Sequence, residues 1–209
     1  MKSTPKTSAR GRPRKFDKDA VLQLIVKVFW AKGYSGTSLD DLATATRLSR
    51  PSLYAAYGNK LSMYLAALEV FGQRMTTEAG GALATGPDLR TGLLNFYDAA
   101  LDIYLGKDEE MAQGCLVFTT AVTEATNEPE IKAMVQAQLA GMDQAVKALI
   151  ADRAPGIAPS EITAAAELAT GTLLNLATRA RAGTPRERLR EVAQATADAV
   201  AALTRTQPA

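Results

Sequence analysis

Histidine is absent from the 209-residue chain, and cysteine occurs once, as Cys115. The missing histidine removes the commonest general base and the commonest metal ligand, and no glycine-rich phosphate loop is present. The carboxylate pairs Asp40–Asp41 and Glu109–Glu110 fall at a helix start and on a loop, where capping explains them. These absences argue against an enzyme, and we expect neither a cofactor nor a metal site.

Long apolar runs are also missing. No stretch approaches the roughly 20 apolar residues of a membrane-spanning helix, and the basic N-terminus lacks the apolar segment of a secretory signal. A single cysteine excludes an intrachain disulfide, which suits a reducing compartment. We therefore expect a soluble, cytoplasmic protein without membrane contact.

Alanine and leucine at helical spacing dominate what is present. Hydrophobic residues make up 47% of the chain and charged residues 22%, which indicates a globular protein. Alternating β-branched residues and Asn-Gly turns are missing, so the sequence predicts an all-α fold of about nine helices. We divide it into a disordered basic arm (1–15), a three-helix unit (16–60) and a larger helical domain (61–209).

The charges are distributed unevenly along the chain. Residues 1–60 contain 12 Lys and Arg against 4 Asp and Glu, whereas residues 61–209 contain 12 against 18. A cationic front end on an anionic body predicts a polyanionic partner for the front end. The alternative for residues 1–15 is a basic tail that is simply solvated.

Local signals divide residues 16–60 into three helices. Each helix follows a side chain that can cap free backbone N–H groups, and two helices end at a glycine. The candidate caps are Asp17, Thr37 or Ser38, and Ser49, and the glycines are Gly33 and Gly58. The second helix is predicted to end near Thr46 and the third near Tyr57, with Pro51 in the first turn of the third.

Further helical patterns fill the rest of the chain. A long helix from Lys60 to about Ala79 is predicted to break at Gly80–Gly81. The patterns that follow are Pro87 to Leu105, Cys115 to Thr126, Pro129 to Asp152, Ser160 to Ala182 and Pro185 to Arg205, with a short extra turn near Asp108–Gln113 as an option.

Residues 38–57 have the pattern of a helix, a tight turn and a second helix, which on a supporting helix forms a helix-turn-helix. The outward face of the second helix carries Arg50, Ser52, Tyr54 and Tyr57, with Leu53 facing inward. Serine and tyrosine hydroxyls bond phosphate oxygens, and arginine binds guanine through two hydrogen bonds. The pattern favours DNA binding, and the alternative is a structural bundle of the same geometry.

An ordered series of short motifs occupies residues 31–68. It comprises Gly33–Tyr34, Thr37–Ser38, Asp40–Asp41, Ser49, Leu53–Tyr54, Tyr57 and Lys60. With these motifs the front of the chain resembles the DNA-binding domain of the TetR/AcrR family of one-component repressors. One departure is Thr46–Arg47 in place of the usual turn glycine, which requires either a left-handed Arg47 or a wider turn.

The resemblance implies sequence-specific binding to double-stranded operator DNA. The residues implied in operator contact are Thr37, Ser38, Ser49, Arg50, Pro51, Ser52, Tyr54, Tyr57 and Lys60. Of these, Arg50, Pro51 and Ser52 would lie nearest the bases. The resemblance also implies that the larger domain binds an effector and dimerises.

A single short recognition helix reads few base pairs, so specificity requires two copies with half-sites about 34–36 Å apart or a little more. The last two predicted helices carry small residues at helical spacing and could form a four-helix bundle with a second copy, as in the family. The predicted seam residues are Gly171, Thr172, Leu176, Ala180, Val192, Thr196 and Val200. The alternative is that these faces pack only within one subunit.

The middle helices hold most of the remaining aromatic residues and methionines. In the family such helices enclose a cavity, which implies a small apolar effector. The candidate residues are Phe71, Met75, Phe96, Tyr97, Tyr104, Cys115, Phe118, Met134, Met142 and Asn175. The alternative is that such side chains are plain core. Cys115 at a helix start is either a reactive thiolate or a buried, inert thiol.

These patterns favour a homodimeric transcriptional regulator, a repressor that a small apolar effector releases from a palindromic operator. One alternative is an effector-independent activator or architectural protein of the same fold. The other is a helical carrier or partner-binding module whose basic front end is incidental.

Overall fold

The computed structural model describes residues 16–106 and 112–205. Over these ranges it contains nine helices and no strand, which confirms the predicted all-α fold. The predicted arm at 1–15 and most of the optional turn near Asp108–Gln113 lie outside the described residues. Within them, no helix combines the length and apolarity that a bilayer crossing requires.

Three short helices form the N-terminal head (residues 16–59): α1 (Lys18–Lys32), α2 (Leu39–Thr46) and α3 (Arg50–Tyr57). Their starts are the predicted ones. Asp17 accepts from the N–H of Asp19 at 2.9 Å, and Ser38 and Asp41 form a reciprocal capping box. Because caps satisfy N–H groups that lack a partner inside the helix, these boundaries are encoded locally.

One apolar cluster holds the head together. Phe29, Leu42 and Leu53, one from each helix, are fully buried. Between α2 and α3, Arg47 adopts the left-handed conformation, with φ 56° and ψ 27°. Of the two predicted alternatives, a left-handed Arg47 or a wider turn, the first is therefore present. This conformation costs a non-glycine residue roughly 1–2 kcal/mol, and it keeps the connection between the two helices short.

The helix after the head is longer than predicted. It consists of α4 (Lys60–Met75), a π-turn (Thr76–Gly80) and a last turn (Gly81–Leu83). The predicted break at Gly80–Gly81 is wrong, because both glycines adopt a helical φ of −62° and glycine weakens a helix without having to end it. The chain leaves the helix instead ahead of Gly86 (φ 100°) and Pro87.

Five further helices complete the body (residues 60–205). They are α5 (Leu89–Leu105), α6 (the π-turn Val117–Ala121 continued by Val122–Glu124), α7 (Pro129–Arg153), α8 (Pro159–Arg181) and α9 (Arg186–Leu203). Their limits lie close to the predicted ones. α8 packs against α5, α6, α7 and α9, and α4 packs on both α1 and α7. The head is therefore joined to the body along α4.

Surface ion pairs mark the antiparallel alignment of α5 and α9. They are Arg90–Asp198, Asp98–Arg190 and Asp102–Arg186. Exposed pairs of this kind contribute little stability, so the apolar contacts beneath them hold the two helices together.

Candidate nucleic-acid interface and ligand cavity

The first turns of α3 present side chains to solvent. Arg50, Pro51 and Tyr54 are exposed, Tyr54 over 46% of its surface, whereas Leu53 is fully buried. The buried leucine anchors the helix, so Arg50, Pro51 and Tyr54 on the opposite side stay open to solvent. An exposed tyrosine beside a cation suits contact with phosphates and base edges.

The Arg50 guanidinium is paired with Asp40 of α2. Its Nε lies 2.9 Å from Oδ1 of Asp40, and Nη2 also bonds the carboxylate. The carboxylate raises the pKa of Arg50, and both side chains are more than half exposed. Because exposed ion pairs are weak, a phosphate or a base could replace the aspartate.

Three of the predicted contact residues brace the head internally. Thr37 is buried, and its Oγ1 donates to the carbonyl oxygen of Gly33 at 2.6 Å. Tyr57 donates to the carbonyl oxygen of Lys18 at 2.6 Å, and the Lys60 ammonium donates to that of Thr37 at 2.8 Å. These bonds fix α3 and the start of α4 relative to the rest of the head.

The exposed serines at the helix starts are caps. Oγ of Ser38 accepts from the N–H of Asp41 at 3.1 Å, and Oγ of Ser49 accepts from the N–H of Ser52 at 3.3 Å. A hydrogen bond from Lys32, followed by those from Ser38, holds the pKa of Asp41 well below its ordinary value. Both helix starts stay open to solvent, where their N–H groups attract anions.

A cavity of about 500 Å³ lies between α4, α5, α6 and α7, a volume that suits a drug-sized molecule. Its wall includes seven predicted effector residues: Phe71, Met75, Phe96, Cys115, Phe118, Met134 and Met142. Gln138 and Gly141 of α7 also line it and were missed, since an alanine-rich helix gives no signal of which face meets a cavity.

The other three predicted effector residues lie elsewhere. Tyr97 is fully buried and donates to the carbonyl oxygen of Ala169 in α8 at 3.0 Å, and Tyr104 is fully buried in the core. Asn175 lies on the exposed side of α8, where it accepts from Nε of Arg179 at 2.7 Å. None of the three lines the cavity.

Few polar groups interrupt the cavity wall. Gln138 donates from Nε2 to the carbonyl oxygen of Leu68 in α4 at 3.0 Å. The amide fits because Gly72 has no side chain; a Cβ there would lie 2.7 Å from Nε2. Among the described lining residues Glu69 is charged, and no lysine or arginine is present. The wall therefore suits neutral or cationic molecules better than anions.

Burial decides the chemistry of Cys115. The residue is 2% exposed, and burial raises the pKa of its thiol to about 12, against smaller lowering by the backbone N–H groups of Phe118 and Val117. The thiol is therefore protonated at neutral pH. This disfavours the reactive-thiolate hypothesis and favours the inert one.

The predicted seam residues occupy two different faces of α8 and α9. Thr172, Leu176, Ala180 and Val200 are buried inside the subunit, Val192 and Thr196 are half-buried, and Gly171 is exposed. Exposed apolar surface lies instead at Leu168 (42%) and Leu203 (59%). A hydroxyl contact of 3.0 Å between Thr172 and Thr196 joins α8 to α9 within one subunit.

Comparison with known sequences connects this arrangement to a family. Residues 21–67 match the family model described as bacterial regulatory proteins, tetR family. The transcriptional repressor ComR of Escherichia coli K12 is 28% identical over 192 residues, which cover 90% of each chain. The transcriptional activator FasR of Mycolicibacterium smegmatis is 29% identical over 139 residues, 66% of this chain and 60% of FasR.

A solved structure shares both the fold and much of the length. The regulator CifR, a cysteine variant in complex with 26-base-pair operator DNA, superposes with a TM-score of 0.81 at 27% identity. The match covers 90% of this chain and 99% of CifR. The family model spans most of α1, all of α2 and α3 and the start of α4, and so includes the exposed face of α3. The chain belongs to the TetR family of DNA-binding transcriptional regulators.

Proposed function

We propose that the protein is a homodimeric repressor that binds a palindromic operator through α3 and releases it when a small apolar molecule fills the cavity. The observation that carries this proposal is the path of α4. It begins at Lys60, just after α3, and its later turns bring Phe71 and Met75 to the cavity wall. One helix thus connects the recognition helix α3 with the cavity.

The operator contacts come from the predicted residues that are open to solvent. Arg50, Pro51 and Ser52 in the first turn of α3 approach base edges, and Tyr54 reaches the DNA from the same face. Ser38 and Ser49 mark helix starts whose N–H groups receive phosphates. Arg50 exchanges its weak pair with Asp40 for a contact with DNA.

Three of the predicted contact residues support operator binding mainly by stabilising the fold of the head: Thr37, Tyr57 and Lys60. Their side chains already bond main-chain carbonyl groups of the head. An ammonium group has three donors, so Lys60 can bond Thr37 and a phosphate at the same time. Thr37 is buried, and its N–H donates to the carbonyl oxygen of Tyr34 at 3.2 Å, so it supports the DNA-binding face without contacting DNA itself.

The dimer forms through the exposed faces of α8 and α9. Gly171 lies on the exposed face of α8, near Leu168, and permits close approach, while Leu203 adds exposed apolar surface on α9. The buried members of the predicted seam support these helices from behind. Two copies place two α3 helices on successive turns of the duplex, about 34–36 Å apart.

The effector is a small apolar molecule without negative charge, because no lysine or arginine lines the described cavity. Its entry displaces α4 and changes the separation of the two α3 helices. By linkage, operator DNA weakens effector binding by the same factor by which effector weakens DNA binding.

Replacing Gly141 with leucine should fill the cavity and leave DNA binding intact. Gly141 lines the cavity, and a Cβ at this position would meet no atom within 4 Å. A thermal-unfolding screen of small apolar compounds on the wild type comes first, because a ligand at 100 times its Kd stabilises by about 2.7 kcal/mol. Each hit is then titrated against the protein–operator complex.

We expect Gly141→Leu to bind operator like the wild type and to bind the hit at least about tenfold more weakly. Ala140→Leu is the matched control, since Ala140 neighbours Gly141 on α7 and is absent from the cavity wall. The proposal is contradicted if no compound both stabilises the protein and releases DNA. An unchanged response in Gly141→Leu would remove the cavity from the mechanism.

A second candidate is an activator of the same fold, and the activator FasR among the relatives supports it. The two candidates differ in the sign of one measurement. With a reporter gene downstream of the operator, removing a repressor raises expression and removing an activator lowers it. A helical carrier would bind DNA without sequence preference.

A further inference from the structure

The C-terminal end of α1 is held by a residue far away in the chain. Arg181, the last residue of α8, donates from Nη1 to the carbonyl oxygen of Trp30 at 3.0 Å and from Nη2 to that of Ala31 at 3.1 Å. The last carbonyl groups of a helix lack partners within it and carry the negative end of its dipole. A guanidinium group supplies hydrogen-bond donors to these carbonyl groups and a positive charge at the negative end of the dipole, in one fixed geometry.

A second set of contacts tightens the same place. Arg181 also donates from Nη1 to the carbonyl oxygen of Gln113 at 3.0 Å, and the indole Nε1 of Trp30 donates to that of Gly114 at 3.0 Å. Gly114 (φ 66°) lies so close to α8 that a Cβ on it would be 2.3 Å from the carbonyl oxygen of Ala177. We call these contacts around Trp30, Gly114 and Arg181 the α1–α8 junction.

The junction joins two parts of the molecule with different tasks. α1 is the supporting helix of the head, and α8 carries part of the proposed dimer face. The connection through α4 leads to the cavity wall and continues into a π-turn, whereas the junction links α8 to the head directly. We infer that Arg181 is a positioning residue that sets the angle of the head on α8 and thereby the distance between the two recognition helices. The inference rests on the proposed dimer and operator.

A merely structural role would have different consequences. If Arg181 only capped α1, its loss would lower stability or weaken binding to every DNA alike. If it sets the head angle, its loss releases the head to sample several angles, and discrimination between half-site spacings falls. Because Arg181 is exposed and outside the buried core, removing its guanidinium leaves the packing of α8 in place.

The test measures operator affinity as a function of half-site spacing. The probe is the operator recovered by selection with the full-length wild type, together with versions whose spacer is shortened or lengthened by one or two base pairs. Each base pair moves a half-site by about 3.4 Å and turns it by about 35°. The variants are Arg181→Met and, as the matched control, Arg153→Met. Arg153 donates to the carbonyl oxygen of Gly86 at 2.9 Å, entirely within the body.

We expect the wild type and Arg153→Met to lose at least about tenfold in affinity when the spacer changes by two base pairs. Arg181→Met should bind the best spacer about tenfold more weakly and should vary by no more than about threefold across the series. Arg181→Lys, which keeps one charge but loses the planar array of donors, should fall between them. It also replaces Arg181→Met if the latter does not yield a folded dimer.

The outcomes distinguish a failure of the positioning role of Arg181 from a failure of the proposed function. A wild-type spacing profile in Arg181→Met, or a uniform loss at every spacing, overturns the positioning role and leaves the proposed function standing. A wild type without any preferred spacing contradicts the proposed function itself, and the inference falls with it. Unfolding curves and sedimentation of each variant confirm that differences in stability or assembly do not account for the profile.

Discussion

Tyr54→Ala should weaken operator binding by about tenfold to a hundredfold while leaving stability, dimerisation and ligand binding unchanged. The Tyr54 side chain is 46% exposed, whereas the neighbouring Leu53 is fully buried and points to the opposite side of α3. Its removal therefore leaves no hole in the core. Because the proposed dimer places two copies of Tyr54 on the duplex, each operator would lose two contacts. Fluorescence-anisotropy titration with labelled operator at fixed salt measures the effect.

Tyr54→Phe is the control that separates ring from hydroxyl. If the hydroxyl bonds a phosphate, Tyr54→Phe accounts for part of the loss and binding weakens similarly on all DNA sequences. If the ring packs on a base, Tyr54→Phe binds almost like the wild type. Operator affinity within twofold of the wild type for Tyr54→Ala would exclude this residue from the interface.

Gly114→Ala should destabilise the folded protein by about 3 kcal/mol. A positive φ costs an alanine roughly 1–2 kcal/mol, and a Cβ 2.3 Å from the carbonyl oxygen of Ala177 must also force the chain away from α8. For a domain of this size the loss corresponds to a fall in Tm of about 6–12 °C. Thermal and urea unfolding of wild type and variant at matched protein concentration measure it.

Gly183→Ala is the matched control for backbone strain. Gly183 also has a positive φ, 81°, but a Cβ there would meet no atom within 4 Å, so only the strain of roughly 1–2 kcal/mol is expected. Equal destabilisation by the two substitutions would show that Gly114 is needed for its backbone conformation and not for its closeness to α8.

The head could be predicted from the sequence because its signals are local. Asp17, Ser38 and Ser49 cap helices within three residues of themselves, and Gly33 and Gly58 end helices with positive φ. No distant contact is needed to place these boundaries. The capping box at Ser38 is the clearest example of such a local signal, whereas the sequence left the conformation of Arg47 open between two forms.

The break at Gly80–Gly81 could not be decided in the same way. Glycine is compatible with a helix and with its end, so the outcome depends on what surrounds it. Gly80 lines the cavity together with Thr76 and Thr77 and ends the π-turn, and Gly81 begins the last helical turn. The two glycines alone therefore did not justify the predicted break.

Burial patterns on α8 show a second limit of sequence periodicity. The helix carries small and apolar residues on several sides, so spacing alone could not separate the face that meets the subunit core from the face that meets solvent. Leu176 and Ala180 turned out to be buried, whereas Leu168 is exposed. The Arg181 contacts were equally invisible, because they join residues 150 and 151 positions apart in the chain.

The central claim is that two copies of α3 read DNA as a symmetric pair, and selection of bound duplexes from a random pool tests it most directly. The account predicts enrichment of a two-fold symmetric site whose half-sites lie about one helical turn apart. Recovery of no common sequence, or of a single asymmetric site bound by one copy of the chain, would contradict it.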